Sequence, residues 1–348
     1  MIVKWLITMI TEKKIIRIGF GLAISAFFLW LVFRNIPMHQ VWDSLQSLDI
    51  IWIVPAVFVY FAGVWVRTCR WGILMRPVKH CSTARFFPIY VISYMANNIL
   101  PMRIGDLYRA YIIGKKEKVS KSASLVTIGV ERIFDGLTML VLLLISILLF
   151  PIEHEAVRQT VQIGSVLFLG SILTCYILLL KKDWAGWLFS RILNNLPAQF
   201  HSRLNDLFNN FFHGLDALRG GYEILLVSCL SLVTWLIEAA SYYLVLNAFG
   251  FFGPFHVAIA TMALVNLMII VPAAPGYFGP FEWACFIILG NKGYGSLTGF
   301  TQEIAAAYAL VLHVVVQWIP STLLGLIFMW TEHVSFHEID SDDEGGYV

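Results

Sequence analysis

Apolar residues run through this chain in long blocks separated by short polar stretches. The blocks at 15–33, 50–66, 123–150, 161–180, 222–249 and 303–330 approach or exceed the roughly 20 mostly apolar residues a helix needs to cross a bilayer, within a range of about 17–25. Six spanning helices are therefore predicted. Two further blocks break the pattern: 86–100 is short and stops at Pro101, and 256–289 is interrupted by Pro272, Pro275, Gly276, Gly279 and Pro280. Proline and glycine punctuate helices, and irregular backbone survives at membrane depth only where protein or a wet cavity surrounds it. Both blocks read as broken helical elements that enter the membrane and return.

Composition agrees with that reading. Of 348 residues, 59% are hydrophobic and 13% charged, against about 45–50% and about 25% in soluble domains. A water-soluble shell is excluded, and the chain reads as a single membrane domain over 1–330 with an acidic tail at 331–348. The tail, with His333 and His337, is expected to be solvated and disordered rather than metal-binding. The formal charge of +2 offers no basis for nucleic-acid binding. Cys69, Cys81, Cys175, Cys229 and Cys285 have no metal-ligand spacing, so neither a metal nor a cofactor is expected. No small-residue cleavage site follows Phe33, so the first block reads as a retained helix rather than a signal peptide.

The placement of Lys and Arg orients the chain, because these residues are retained on the cytoplasmic side. Lys4, Lys13, Lys14 and Arg17 put the N-terminus inside. Arg67, Arg70, Arg76, Lys79 and Arg85 precede the 86–100 block, and Arg103, Arg109, Lys115, Lys116, Lys118 and Lys121 follow it. With both flanks cytoplasmic, this element is expected to be re-entrant. The 256–289 block, flanked by almost no cation but Lys292, is expected to dip in from the outside. Both termini are then cytoplasmic, in a plasma or inner membrane. Within the basic loop before residue 222, Leu204, Leu207, Phe208, Phe211, Leu215 and Leu218 draw one apolar stripe, so an amphipathic helix near 184–219 is predicted at the interface or against the cytoplasmic helix ends.

The two broken elements share a pattern. Pro101 is followed by Gly105 and Pro272 by Gly276, while Glu131 and Glu303 trail their prolines by 30 and 31 residues. Three intervening crossings would invert one element relative to the other, and inverted repeats with interrupted helices mark many transporters. The predicted fold is thus an all-α polytopic membrane protein: six spanning helices plus two oppositely inserted broken elements in an inverted repeat.

Charge at membrane depth is costly, by at least about 2.5–3.5 kcal/mol per residue on insertion scales, and usually faces a cavity or a partner. Asn98, Arg103, Asp106 and Arg109 accompany the first break, with Glu131, Arg132 and Asp135 on the next helix; Glu238, Glu282 and Glu303 form a sparser second group. They fit either a salt-bridge network or a polar pocket in which an arginine fork grips a phosphate or carboxylate. Burial of Glu238 or Glu282 would suit proton coupling, whereas His313 reads first as a hydrogen-bonded core residue.

The run from Asn98 through Pro101, Arg103, Gly105 and Asp106 to Arg109, followed by Val130-Glu131-Arg132-Ile133-Phe134-Asp135, resembles the flippase-like family of lysylphosphatidylglycerol synthase transmembrane regions. The stretch from Val271 through Pro275, Gly276 and Gly279 to Glu282 is similar to that family's second signature. The resemblance implies a domain that translocates lipids, with Arg103, Asp106, Arg109, Glu131, Arg132, Asp135 and Glu282 on the motif positions. The synthase proper carries a soluble aminoacyl-transfer domain after this region, whereas a short acidic tail follows Trp330 here; aminoacyl transfer is accordingly not expected of this chain alone.

The leading expectation is a transporter-like lipid translocase passing a phospholipid or related anionic or zwitterionic lipid between leaflets. The alternatives are a membrane-embedded lipid- or glycan-modifying enzyme using Glu131, Asp135 or Glu282 as acid or base, and a noncatalytic partner of a synthase or glycosyltransferase. Membrane lipids are the expected partners, with a separate synthase or glycosyltransferase and a second copy of the chain as further candidates.

Overall fold

The computed structural model describes residues 19–100, 104–149, 159, 170, 190–191, 221–271, 273–290 and 294–334. Pro101, Arg103, Pro272, nearly all of the 161–180 block, most of the predicted 184–219 helix and the tail beyond residue 334 lie outside the described residues. The described residues contain helices and turns and no strand.

Helix α1 (Gly19–Phe33) turns by 80° into α2 (Met38–Gln46). The Asp49 side chain accepts from the Ile51 N–H and starts a 3₁₀ turn that runs into α3 (Ile53–Met75). Next come α4 (Thr83–Ile99), α5 (Gly105–Glu117) and α6 (Lys121–Leu149). The second half holds α7 (Gly221–Ala248), α8 (His256–Met268), α9 (Pro280–Leu289) and one long helix, α10 (Gln302–Thr331), whose middle, Val311–Trp318, is π-helical. Among the described residues, Ile50–Met75, Tyr222–Ala248 and Gln302–Thr331 are long and apolar enough to cross a membrane, and α1 with α2 passes the same test as a bent pair.

Helix α3 differs from its sequence reading. The hydropathy block stops at residue 66, but the helix continues to Met75 with Arg67 and Arg70 buried inside it. Both guanidiniums are met by carboxylates of other helices, which removes the penalty that would otherwise end a membrane helix at its first cation.

The contact between α3 and α7 uses small residues, as expected where lipid-like surroundings give apolar packing little driving force and close backbone approach supplies the attraction. Helices α3 and α7 are antiparallel: Ser241 Oγ donates to the Ala56 carbonyl at 2.9 Å, and Asp49 N–H donates to the Ala248 carbonyl at 3.0 Å. Gly63 lies against Thr234 and Ile237. Large apolar side chains such as Phe20, Trp30, Phe58, Leu225 and Leu323 remain exposed, a surface suited to lipid rather than water.

Two helical hairpins sit within this frame. Helices α4 and α5 fold back on each other, and the extended backbone of Leu100 ends α4. Gly105 packs directly on the Ser93 carbonyl and the Asn97 amide, leaving no room for a Cβ. The far ends of both arms meet where Arg85 Nε and Glu117 Oε1 pair at 2.6 Å. Helices α8 and α9 form the second hairpin, whose outer ends lie at the opposite end of the bundle, near the cluster of Phe249, Phe251 and Phe300. Helix α10 starts at that end and finishes at the other, where Lys116 pairs with Glu332 and Phe87 meets Phe328.

Both hairpin tips arrive at one residue of α10. Asn98 Nδ2 donates to the Trp318 carbonyl at 3.3 Å and to Ser321 and Thr322, while Trp318 Nε1 lies 3.4 Å from the Asn98 carbonyl. From the other side, Gly276, held at φ +74°, comes so close that a Cβ would fall 2.7 Å from Trp318 Nε1. The segment entering α9 is gripped by α1: Ser25 Oγ donates to the Phe278 carbonyl at 2.6 Å and accepts from Ala274 N–H at 2.9 Å. Gly279, at φ +101°, leaves no space for a side chain against the Ser25 backbone; only glycine adopts that conformation readily.

Candidate functional site

Arg67 and Arg70 lie three residues apart on α3, so they share a face, and that face meets α6 and α7. Arg67 Nη2 pairs with Glu238 Oε2. Its Nη1 donates to the Tyr94 hydroxyl at 3.1 Å, and its guanidinium carbon lies 4.4 Å from the Trp235 ring centroid. Asn266 Nδ2 sits 3.4 Å from the second Glu238 oxygen. The α3–α7 contact is thus an ion pair with its spare donors and acceptors occupied.

One helical turn along α3, Arg70 Nη2 donates to Glu131 Oε1 at 3.1 Å, and Nη1 pairs with Asp135 Oδ1 at 2.6 Å. Glu131 is a hub: its other oxygen accepts from Arg109 Nη2 at 2.9 Å, and the Tyr90 hydroxyl donates to Oε1. The Arg109 guanidinium carbon lies 4.6 Å from the Trp71 ring centroid and 4.4 Å from that of Tyr90, so ring faces rather than acceptors cover its remaining N–H groups. Arg70, Arg109 and Glu131 are fully buried. This network fastens α3, α4, α5 and α6 together.

A cavity of about 390 Å³ opens beside these pairs, between the hairpin tips and the faces of α3, α6, α7 and α10. Its charged wall comprises Arg67, Asp106, Arg132, Asp135 and Glu238; His313, Asn98, Asn266, Gln317 and Tyr94 add polar groups, and Trp235 and Trp318 add ring faces. That size falls in the usual range of small-molecule sites, about 300–1,000 Å³. Arg132 differs from the other arginines. Its contacts with Asp106, Asp135 and Glu131 are long, at 3.5, 3.4 and 3.9 Å, and its side chain is 45% exposed. Its guanidinium donors are therefore available to a ligand carrying phosphate or carboxylate.

Behind the opposite wall, Glu282 is fully buried in the first turn of α9. Its Oε2 accepts from the Gly279 N–H at 2.6 Å, which caps the helix at the hairpin elbow, and its Oε1 lies 2.6 Å from His313 Nδ1. His313 stacks on Phe281, with ring centroids 4.1 Å apart.

The residues singled out in the sequence divide by position. Asn98, Asp106, Arg132, Asp135 and Glu238 line the cavity. Arg109 and Glu131 lie behind it in the ion-pair network, and Glu282 lies behind His313. Gly105, Pro275, Gly276 and Gly279 shape the two hairpins. Glu303 stands apart, half-buried in the first turn of α10 at the far end from Trp318. In α10 it is His313 that pairs with the preceding hairpin, as Glu131 does in α6, so the spacing of Glu303 behind Pro272 does not place it in an equivalent position.

Sequence reasoning did not single out Arg67, Arg70, Tyr90, Tyr94, Trp235 or Asn266. For the arginines the sequence offered a weak cue: Trp71, Ile73, Leu74 and Met75 keep the stretch beyond them apolar as far as Arg76.

A family model described as the lysylphosphatidylglycerol synthase TM region matches residues 18–325. The chain belongs to this family. Two UPF0104 membrane proteins of Methanothermobacter thermautotrophicus are similar to it, one 26% identical over 324 residues that cover 88% of this chain and 90% of the relative, the other 21% identical over 299 residues that cover 82% and 86%. The glycosyltransferase AglD of Haloferax volcanii is 27% identical over 119 residues, 34% of this chain and 19% of that protein. No solved structure matches. Family and apolar helices together make this a multi-pass membrane protein.

Proposed function

We propose that this protein is a lipid translocase, moving a phospholipid or related anionic or zwitterionic lipid between the leaflets of a plasma or inner membrane. On this reading α3–α6 and α7–α10 are inverted repeats, each a long helix, a hairpin and a second long helix, and the two hairpins are re-entrant elements. The basic end at Arg85 and Glu117 faces the cytoplasm, as do both termini. The supporting observation is the charged cavity at the meeting point of two hairpins whose outer ends lie at opposite ends of the bundle. A head group would leave water for the cavity, with phosphate on Arg132 and polar neighbours satisfied by Asn98 and Asn266, while its tails stay among the exposed apolar side chains. That arrangement is the one alternating access requires.

The test uses full-length protein in liposomes carrying fluorescent phosphatidylglycerol, phosphatidylethanolamine or a polyprenyl phosphate. Faster leaflet exchange than in empty vesicles, reduced by Arg132→Gln, is expected. Exchange no faster than background for all three lipids would remove the proposal.

The likeness to a fifth of a glycosyltransferase favours a second reading, in which the chain is the membrane partner of a separate glycosyltransferase. Co-purification of such an enzyme, together with unaltered function in Arg132→Gln, would favour it. A lipid-modifying enzyme fits less well, because Glu131 and Asp135 are already engaged by arginines and Glu282 by His313.

A further inference from the structure

The buried carboxylates around the cavity are met by two kinds of partner. Glu131 is held by Arg70 and Arg109, Asp135 by Arg70, and Glu238 by Arg67; an arginine does not release its proton in a protein. Glu282 is equally buried, but the ionisable partner it has among the described residues is His313, and histidine is the side chain type whose charge can change near neutral pH. As carboxylate and imidazolium the pair is neutral. Once the imidazolium gives up its proton, the pair carries a net negative charge in a low-dielectric site, a state that needs water or a cation to stabilise it.

Both conditions are within reach, since His313 forms part of the cavity wall. Its Nδ1 is held by Glu282, and among the described residues no hydrogen bond engages Nε2. The charged groups sharing the cavity with it are Arg67 on α3, Asp106 on α5, Arg132 and Asp135 on α6, and Glu238 on α7. Tyr60 on α3, Tyr94 on α4, Tyr242 on α7 and Tyr277 at the second tip complete the titratable lining; Cys285 on α9 is buried near Glu282. The parts of α8 and α10 that line the cavity add no further charge. The pair also has a mechanical lever. Glu282 caps the Gly279 N–H at the elbow of the second hairpin, and His313 lies in the π-helical stretch of α10, an irregularity frequent at functional sites.

We infer that Glu282 and His313 form a proton-exchange site on the cavity wall, coupling protonation of this pair to occupancy of the cavity and to the position of the α8–α9 tip. The exchange is a simple transfer: imidazolium gives its proton to cavity water and becomes neutral imidazole beside the carboxylate, and takes one up in reverse. The proton site stands on its own geometry; its coupling to lipid movement rests on the translocase reading.

Two measurements on full-length protein in phosphatidylcholine–phosphatidylglycerol vesicles test it. The first follows ¹⁵N-labelled histidine by NMR between about pH 5 and about pH 9, with His313→Gln assigning the signal. The His313 ring should change its charge in this window, and Glu282→Gln should displace that change. A ring that keeps one charge state throughout overturns the inference. The second follows fluorescent phosphatidylglycerol under inside-acid and inside-alkaline gradients. The parent rates should differ by about fivefold or more, whereas His313→Arg, which keeps a cation beside Glu282 but cannot release its proton, should show equal rates. Equal rates in the parent overturn the coupling. Absence of lipid movement in every vesicle refutes the translocase reading instead, and the ring titration then decides the proton site alone.

Discussion

In the α4–α5 hairpin the returning arm is fastened to α6 by Arg109 on Glu131, with Arg70 of α3 behind them; in the α8–α9 hairpin the returning arm meets α10 through Glu282 on His313. The first contact is a carboxylate held by arginine, with the Arg109 guanidinium lying against the Trp71 and Tyr90 rings. The second is one removable charge beside an elbow that only glycine can form. Two elements with similar outlines thus differ in what would release them. Among the described residues arginine holds the first, and an imidazole at its hinge holds the second.

The largest effect should come from the hub. Glu131→Gln leaves Arg70 and Arg109 without their shared carboxylate, and breaking a buried pair from one side costs about 3–5 kcal/mol. Thermal or denaturant unfolding in detergent should record a loss of that order. An unchanged midpoint would mean that the network does not anchor the first hairpin. Next, Gly105→Val would drive its side chain into the Ser93 carbonyl and should cost about 1–3 kcal/mol by overpacking; a variant that melts with the parent would show that α4 and α5 are not in direct backbone contact.

Arg132→Gln should behave in the opposite sense to Glu131→Gln. Its side chain is 45% exposed and its ion pairs are long, so stability should fall by less than about 1 kcal/mol. Leaflet exchange should drop about tenfold, the equivalent of one lost charge-assisted contact of about 1.4 kcal/mol. A strong loss of stability with normal exchange would assign Arg132 to the scaffold rather than the cavity.

The smallest effect is at the base of the first hairpin. Burial and then the neighbouring Glu117 carboxylate push the Cys81 thiol above its ordinary pKa, which lowers its thiolate fraction at neutral pH. Maleimide labelling of Cys81 should therefore be slow and should speed up in Glu117→Gln. Equal rates would remove Glu117 from the surroundings of Cys81.

Much of this layout is legible in the sequence. Prolines and glycines between cationic flanks mark the first hairpin, and the Pro275–Gly279 stretch marks the second, because few other residues leave a helix so abruptly. Asp106, Arg132, Asp135 and Glu238 could be singled out as charges too deep to be solvated. Arg67 and Arg70 read as loop cations in the sequence, since what keeps them in the helix is carboxylates 171 and 61 residues away. A linear scan weighs each arginine alone and assigns it to water. His313 was hidden for a similar reason: its partner Glu282 lies 31 residues back, and an isolated histidine in an apolar helix reads as a core residue. Glu303 was picked by counting along the chain from Pro272, and it stands in the first turn of α10, far from Trp318, because that count does not determine which turn of α10 faces the hairpin.

Trp318 ties the two tips to one side chain. Its carbonyl and indole serve Asn98 on one side while its ring blocks Gly276 on the other. Withdrawing either tip must repack the same indole, so the two displacements share one free-energy contribution and cannot be statistically independent. Shrinking this side chain would loosen the correlation itself, leaving each half of the molecule to fluctuate without reference to the other.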